Sequence, residues 1–223
     1  MQAESRYEIV TEPVIEPVTL DQLKRQCNVT ITDYDQDLID WGMAARKLIE
    51  GATGRAFITT TFKMYLDALP MGGGYWNRDI RRQGPDPNDP RWLPTYNAPI
   101  VIQRCPLQSI VSLQFTAMDG TLQTYDPTLL RISLGTPGRV APEYNQFWPW
   151  TRPVNDAVQL TFVAGVDTAD LVPPEAKALI RLLVAGWYSH RELIQSGEVP
   201  LEIPDTIGFN GLLASLSYGA EYA

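Results

Sequence analysis

Histidine is nearly absent from this chain, with His190 alone in 223 residues. One imidazole cannot provide paired metal ligands, and no serine or cysteine nucleophile motif lies beside it. His190 is therefore read as a helix-end residue that eases a negative terminus. Cysteine is almost as scarce: Cys27 and Cys105 fall in different segments, with no neighbouring histidine to complete a zinc site. They are read as two reduced, semi-buried thiols, although spacing alone leaves a disulfide open. Basic excess is missing too, since 18 lysines and arginines face 26 acids for a net charge of −8. That balance argues against a phosphate-gripping footprint but is compatible with a passage whose walls repel DNA. No apolar run approaches the roughly 20 residues that span a bilayer. Met1–Thr11 is polar and of mixed charge rather than signal-like, so synthesis and folding in the cytosol are expected.

Motifs for chemistry are equally sparse. Gly72-Gly73-Gly74 is not followed by Lys-Ser or Lys-Thr, so it forms no phosphate cradle. Asp33, Asp35, Asp37 and Asp40 lack the glycine and terminal glutamate of a calcium loop. They lie at a helix start, where acids are favoured anyway. Gly165 after a β run is read as a turn. A triad or acid pair gathered from distant residues leaves no trace in spacing. The expectation is no catalytic residue, no cofactor and no metal.

What is present is an ordered succession of helical and β segments. Thr19-x-x-Gln22 fits a capping box ahead of a short helix from Leu20 to Cys27, and Asp33-x-x-Gln36 repeats it before a longer one. In that second helix Leu38, Trp41, Ala45, Leu48, Ile49 and Ala52 form an apolar stripe, with Gly54 placed for a left-handed cap. From Ile58 the period becomes two, with Phe62, Met64 and Leu66 on one face. Pro70 to Pro99 breaks all periodicity with five further prolines and a glycine run. Arg78, Arg81, Arg82 and Arg91, with Asp79, make this 30-residue loop locally positive. It is either a solvated tip or an extension that touches a neighbouring subunit or DNA phosphates.

Strands are predicted at Ile100–Gln103, Ile110–Ala117, Thr121–Tyr125, Leu130–Leu134 and Ala157–Ala164, with Asp119-Gly120 as a hairpin turn. Phe147-Trp148-Pro149-Trp150-Thr151-Arg152-Pro153 is read as a rigid loop packed against a sheet edge, with an aromatic binding cluster as the competing reading. A third helix begins at Pro174, where a missing N–H costs nothing. Ala176, Leu179, Ile180, Leu183, Val184 and Trp187 form its main stripe; Ala178, Leu182 and Ala185 form a second apolar edge. A helix apolar on two sides is buried on two sides, so that edge is expected to meet another copy or another part of the bundle. Glu192–Pro204 reads as a linker, followed by a short helix carrying Leu212, Leu213 and Leu216 ahead of Tyr218.

Several stretches resemble the adaptor, or head–tail connector, family of tailed bacteriophages: Pro17-Val18-Thr19-Leu20, the run Ala44 to Glu50, Thr53-Gly54-Arg55, Arg104-Cys105-Pro106-Leu107, Trp148 to Pro153, and Val172-Pro173-Pro174. The resemblance covers about residues 14–69 and 100–218, and the 70–99 loop is longer than the family leads one to expect. It implies an α+β fold, a small helical bundle formed by the N- and C-terminal segments with an inserted antiparallel β-rich domain. The bounds are 17–56 and 172–218 for the bundle, 57–165 for the insertion, and 219–223 for a loose tail. It further implies a homo-oligomer, a dodecameric ring under the portal protein. Such a ring continues the DNA channel without sequence-specific binding and presents a surface to a stopper or tail-completion protein. Location in the virion neck after assembly in the host cytoplasm follows, with no membrane partner. On this reading Ala178, Leu182 and Ala185 make the subunit interface, and Leu212, Leu213, Leu216 and Tyr218 dock on the portal unless the leucines merely close the bundle. Arg78, Arg81 and Arg82 would touch a neighbour or DNA. A tail or baseplate structural protein, or a glycan-binding or enzymatic β domain built around Trp148 and Trp150, are the competing readings.

Overall fold

Two apolar cores, one between helices and one between sheets, organise the chain. A computed structural model describes residues 6–70, 98–144, 146–189 and 207–217. The first strand, β1 (Arg6–Thr11), precedes helices α1 (Leu20–Cys27) and α2 (Asp35–Thr53). Seven strands follow: β2 (Thr60–Leu66), β3 (Ile100–Ile102), β4 (Leu107–Thr116), β5 (Leu122–Tyr125), β6 (Leu130–Ser133), β7 (Gly138–Pro142) and β8 (Val158–Ala164). Helices α3 (Pro174–Ser189) and α4 (Ile207–Leu216) complete the described chain. The fold is α+β, with two antiparallel sheets ordered β1-β2-β8-β4-β5 and β3-β7-β6.

Local signals account for most boundaries. Gln22 N donates to Thr19 Oγ1 while Thr19 N donates to Gln22 Oε1, so the capping box of α1 is complete. The second box does not form. Helix α2 starts at Asp35 behind Tyr34, with no side-chain cap, because a turn from Thr32 O to Asp35 N occupies the position before it. Asp35 instead pairs with Lys24 of α1 at 2.6 Å, tying the two helices together. Gly54 ends α2 with φ 72°, as the left-handed cap requires.

The expected α2 stripe is corrected at its C-terminal end. Leu38, Ala45 and Ile49 are buried, but Leu48 is 53% exposed and Ala52 is exposed as well. At 100° per residue the buried face runs instead through Arg46, Glu50 and Thr53. Tyr188 of α3 meets Tyr34 and Trp41 edge-on, at ring separations of 6.1 and 6.4 Å, and so joins the start of α2 to the end of α3.

Between the sheets lie Phe62, Met64, Leu113, Leu160, Phe162, Ile100, Ile102 and Val140. Phe62 and Phe162 face each other across the β2–β8 ladder and stack at 5.6 Å. Two strands add to the expected set. β1 is an edge strand whose mixed sequence carries only a short alternation, and β7 pairs on both sides although it holds Arg139 and ends in Pro142. The helical core gathers Leu23, Leu38, Ile49, Leu179, Ile180 and Val184 with Phe57 and Ile58. Helices from both ends of the sequence therefore share one core. The chain crosses between cores at 56–58, since Ala56 packs with the sheets and the next two residues with the helices. Where β8 returns to this crossing, Gly165 has φ 109°, and a Cβ there would lie 2.3 Å from Ile58 O. Only glycine fits.

Candidate assembly site

The crossing between cores is held by charged groups that local sequence patterns hide. Arg46 is 2% exposed. Its Nε donates to Glu16 at 2.8 Å, Nη2 reaches the other Glu16 oxygen at 3.2 Å, and Nη1 donates to Glu50 at 2.8 Å. Glu50 uses its second oxygen to accept from Phe57 N at 2.7 Å, just where the chain enters β2. Arg104 Nη1 then donates to the Glu50 carbonyl at 2.7 Å and to that of Arg55 at 3.4 Å. Arg55 Nε donates to Leu216 O at 2.6 Å, which ties the end of α4 to the same junction. Ala56 N donates to Cys105 O at 3.0 Å, and the Arg104 guanidinium lies against the Tyr7 and Phe62 rings. Three of the stretches that carry the sequence resemblance, 44–50, 53–55 and 104–107, thus converge in space.

Electrostatics make this a tightly held knot. Burial by itself would lower the Arg46 pKa, but the carboxylates of Glu16 and Glu50 more than offset it, and the net direction is upward. Arg46 remains a cation. Burial pushes the Glu50 carboxyl above its ordinary range, while the Phe57 N–H and Arg46 pull against that rise. A buried carboxylate and guanidinium each need the other, and both are also hydrogen-bonded to the backbone or to a third group. The junction is structural in character. Its polar atoms are spent on one another.

On the outer surface the expected edge of α3 is present: Leu182 is 47% exposed, with Ala178 and Ala185 half-buried beside it. Beneath it Ala176, Leu179, Ile180, Leu183 and Val184 fill the helical core as the main stripe expects. The α4 leucines are divided. Leu216 is buried in the helical core, and Leu212 and Leu213 pack half-buried against it. Tyr218, His190, Arg78, Arg81 and Arg82 lie outside the described residues, as does most of the 70–99 loop.

The two tryptophans of the Trp–Pro loop do not share a surface. Trp148 is 4% exposed, packs on Tyr125 and donates its indole N–H to Ala98 O at 3.0 Å. Trp150 is 74% exposed. The loop lies against the β4–β5 hairpin, with Arg152 N donating to Thr116 O. Sequence reasoning missed the Arg46 knot because charged residues in an amphipathic helix are normally assigned to water. An available signal was position: on a helical wheel Arg46 lies about 60° from Ile49, beside the apolar stripe rather than opposite it.

Among the described residues no helix is long and apolar enough to cross a membrane. No family model and no curated protein matches the sequence. Solved structures do. A chain in the neck of an empty gene transfer agent particle, computed with C6 symmetry, superposes with a TM-score of 0.66 at 16% identity, covering 95% of both chains. A chain in the virion of the native particle gives 0.64 at 17% identity, covering 95% of this chain and 94% of the other. One in the native neck computed with C12 symmetry gives 0.64 at 16%, with the same coverage. At such identity the likeness is one of fold, and it runs through helices and sheets alike. The chain has the fold of chains found in the neck and virion of a gene transfer agent particle.

Proposed function

We propose that this chain is a structural adaptor of a phage-like neck. Copies form a dodecameric ring between a portal protein and a stopper or tail-completion protein. The ring continues the DNA channel. The observation that carries this reading is the fold likeness over 95% of the chain to proteins of a gene transfer agent neck treated with sixfold and twelvefold symmetry. The work of such a chain is mechanical rather than catalytic. Residues 17–56 and 172–218 act as one bundle, with 57–165 as the insertion.

In this reading a net charge of −8 suits a channel through which DNA must slide. Arg78, Arg81 and Arg82 reach a neighbouring subunit or DNA phosphates. The C-terminal segment docks on the portal through Tyr218 and the exposed parts of Leu212 and Leu213, while Leu216 closes the bundle. Truncation from Tyr218 onward leaves all three leucines in place. Loss of co-sedimentation with purified portals is expected, and undiminished attachment would remove the tail from this role. Assembly takes place in the host cytoplasm and the product resides in the virion neck. Gold-labelled antibody against the chain should decorate the head–tail junction of stained particles. Label at the tail tip or baseplate would overturn the reading in favour of a tail structural protein.

A further inference from the structure

We propose that subunits join head to tail, with the outer face of α2 in one copy seated on the outer edge of α3 in the next. This rests on the ring reading and adds the second half of its interface. Around α2, the exposed side runs through Ala44, Leu48, Gly51 and Ala52, and a Cβ added at Gly51 would meet nothing within 4 Å. Around α3 the outer edge runs through exposed Leu182, with half-buried Ala178 and Ala185 beside it. Both surfaces combine one exposed leucine with small residues, which let two helix axes come close.

Charge supplies the pairing. The N-terminal half of the α2 face carries Asp37 and Asp40, both exposed, and Asp40 accepts only a neutral amide bond from Gln36. Flanking the α3 edge are Lys177 and Arg181, and Arg181 Nε bonds back to the Lys177 carbonyl. Among the described residues none of these four takes part in an ion pair within the chain. On one copy the acids and the cations are on different helices. A contact between two copies that uses these two different surfaces would bring them together.

Geometry agrees. α2 and α3 pack on each other through Leu38, Ala45 and Ile49 on one side and Leu179, Ile180 and Leu183 on the other. The exposed Leu48 and Leu182 are left out of that shared core. A contact between unlike faces of a subunit propagates, closing into a ring or continuing as a filament, whereas a contact of like faces stops at a dimer.

Leu48→Glu and Leu182→Glu each spoil one face and leave the other intact. Native mass spectrometry of the full chain at concentrations where the natural protein assembles should find each variant alone monomeric. An equal mixture should give one-to-one heterodimers and nothing larger, because only the sound α3 edge of L48E and the sound α2 face of L182E can pair. Circular dichroism of both variants checks that the helices remain. If L48E assembles like the natural chain, or if L48E alone forms dimers through α3, the head-to-tail pairing is overturned while the ring reading stands. A natural chain that stays monomeric throughout also overturns it, and neck decoration on particles then judges the ring separately.

Discussion

Removing the buried Arg46 side chain should cost this protein more than removing any exposed charge in the bundle. In Arg46→Met the aliphatic volume stays, but Glu50 loses its paired cation and remains buried, its charge held by the Phe57 N–H and the more distant Arg104 guanidinium. Stripping one partner from a buried pair costs about 3–5 kcal/mol. Glu16 is partly exposed, so water replaces much of what Arg46 gave it, and the loss falls mainly on Glu50. For a chain of this length each kcal/mol moves the melting temperature by about 2–4 °C, so a fall of about 6–20 °C is expected. Adding Glu50→Gln removes the stranded charge while its amide oxygen still accepts from Phe57 N–H. The double variant should therefore be more stable than R46M by at least about 1.5 kcal/mol. Urea unfolding followed by circular dichroism measures all four species. A cost below about 1 kcal/mol for R46M, or simple additivity in the double variant, would refute the idea that this pair locks helices to sheets.

Two further outcomes follow from the same region. Burial raises the Glu50 carboxyl above its ordinary value of 4.5, so its stabilising share is complete below that pH and is lost as pH rises through the higher folded value. Glu50→Gln should consequently flatten the decline in melting temperature as pH rises above 4.5 relative to the natural chain, and a steeper decline would contradict the direction assigned to Glu50. Gly165→Ala forces a Cβ against the Ile58 carbonyl at a backbone angle that only glycine tolerates, and should destabilise by about 3 kcal/mol in thermal melts; a change within 0.5 kcal/mol would show that the crossing yields easily.

The elements that could be read from sequence are those whose cause is local. The Thr19 capping box, Gly54, the alternation of Phe62, Met64 and Leu66, and the Asp119-Gly120 turn each need only a few adjacent residues. Strand β1 escaped because its partner lies more than fifty residues away, with Tyr7 opposite Met64, and its own pattern is short. β7 escaped because Arg139 and Pro142 suggest a loop, while pairing on both sides with β3 and β6 overrides that weak preference. The Asp33 box failed because a hydrogen-bonded turn competes for the same backbone, something its four-residue pattern does not encode. The exposed Leu182 edge was visible as surplus apolarity on a helix. The exposure of Leu48 on α2 was hidden, since Leu48 looked like part of the core stripe until Arg46 and Glu50 proved to occupy the inner face.

Electron cryomicroscopy of the neck of a particle built with this chain, reconstructed without imposed symmetry, tests whether the chain forms the proposed ring. A closed ring of this chain is expected, twelve copies around an open lumen, with one rim against the portal and the other against the next tailward protein. Density for the chain absent from the neck, or present there as isolated copies that enclose no channel, would contradict it.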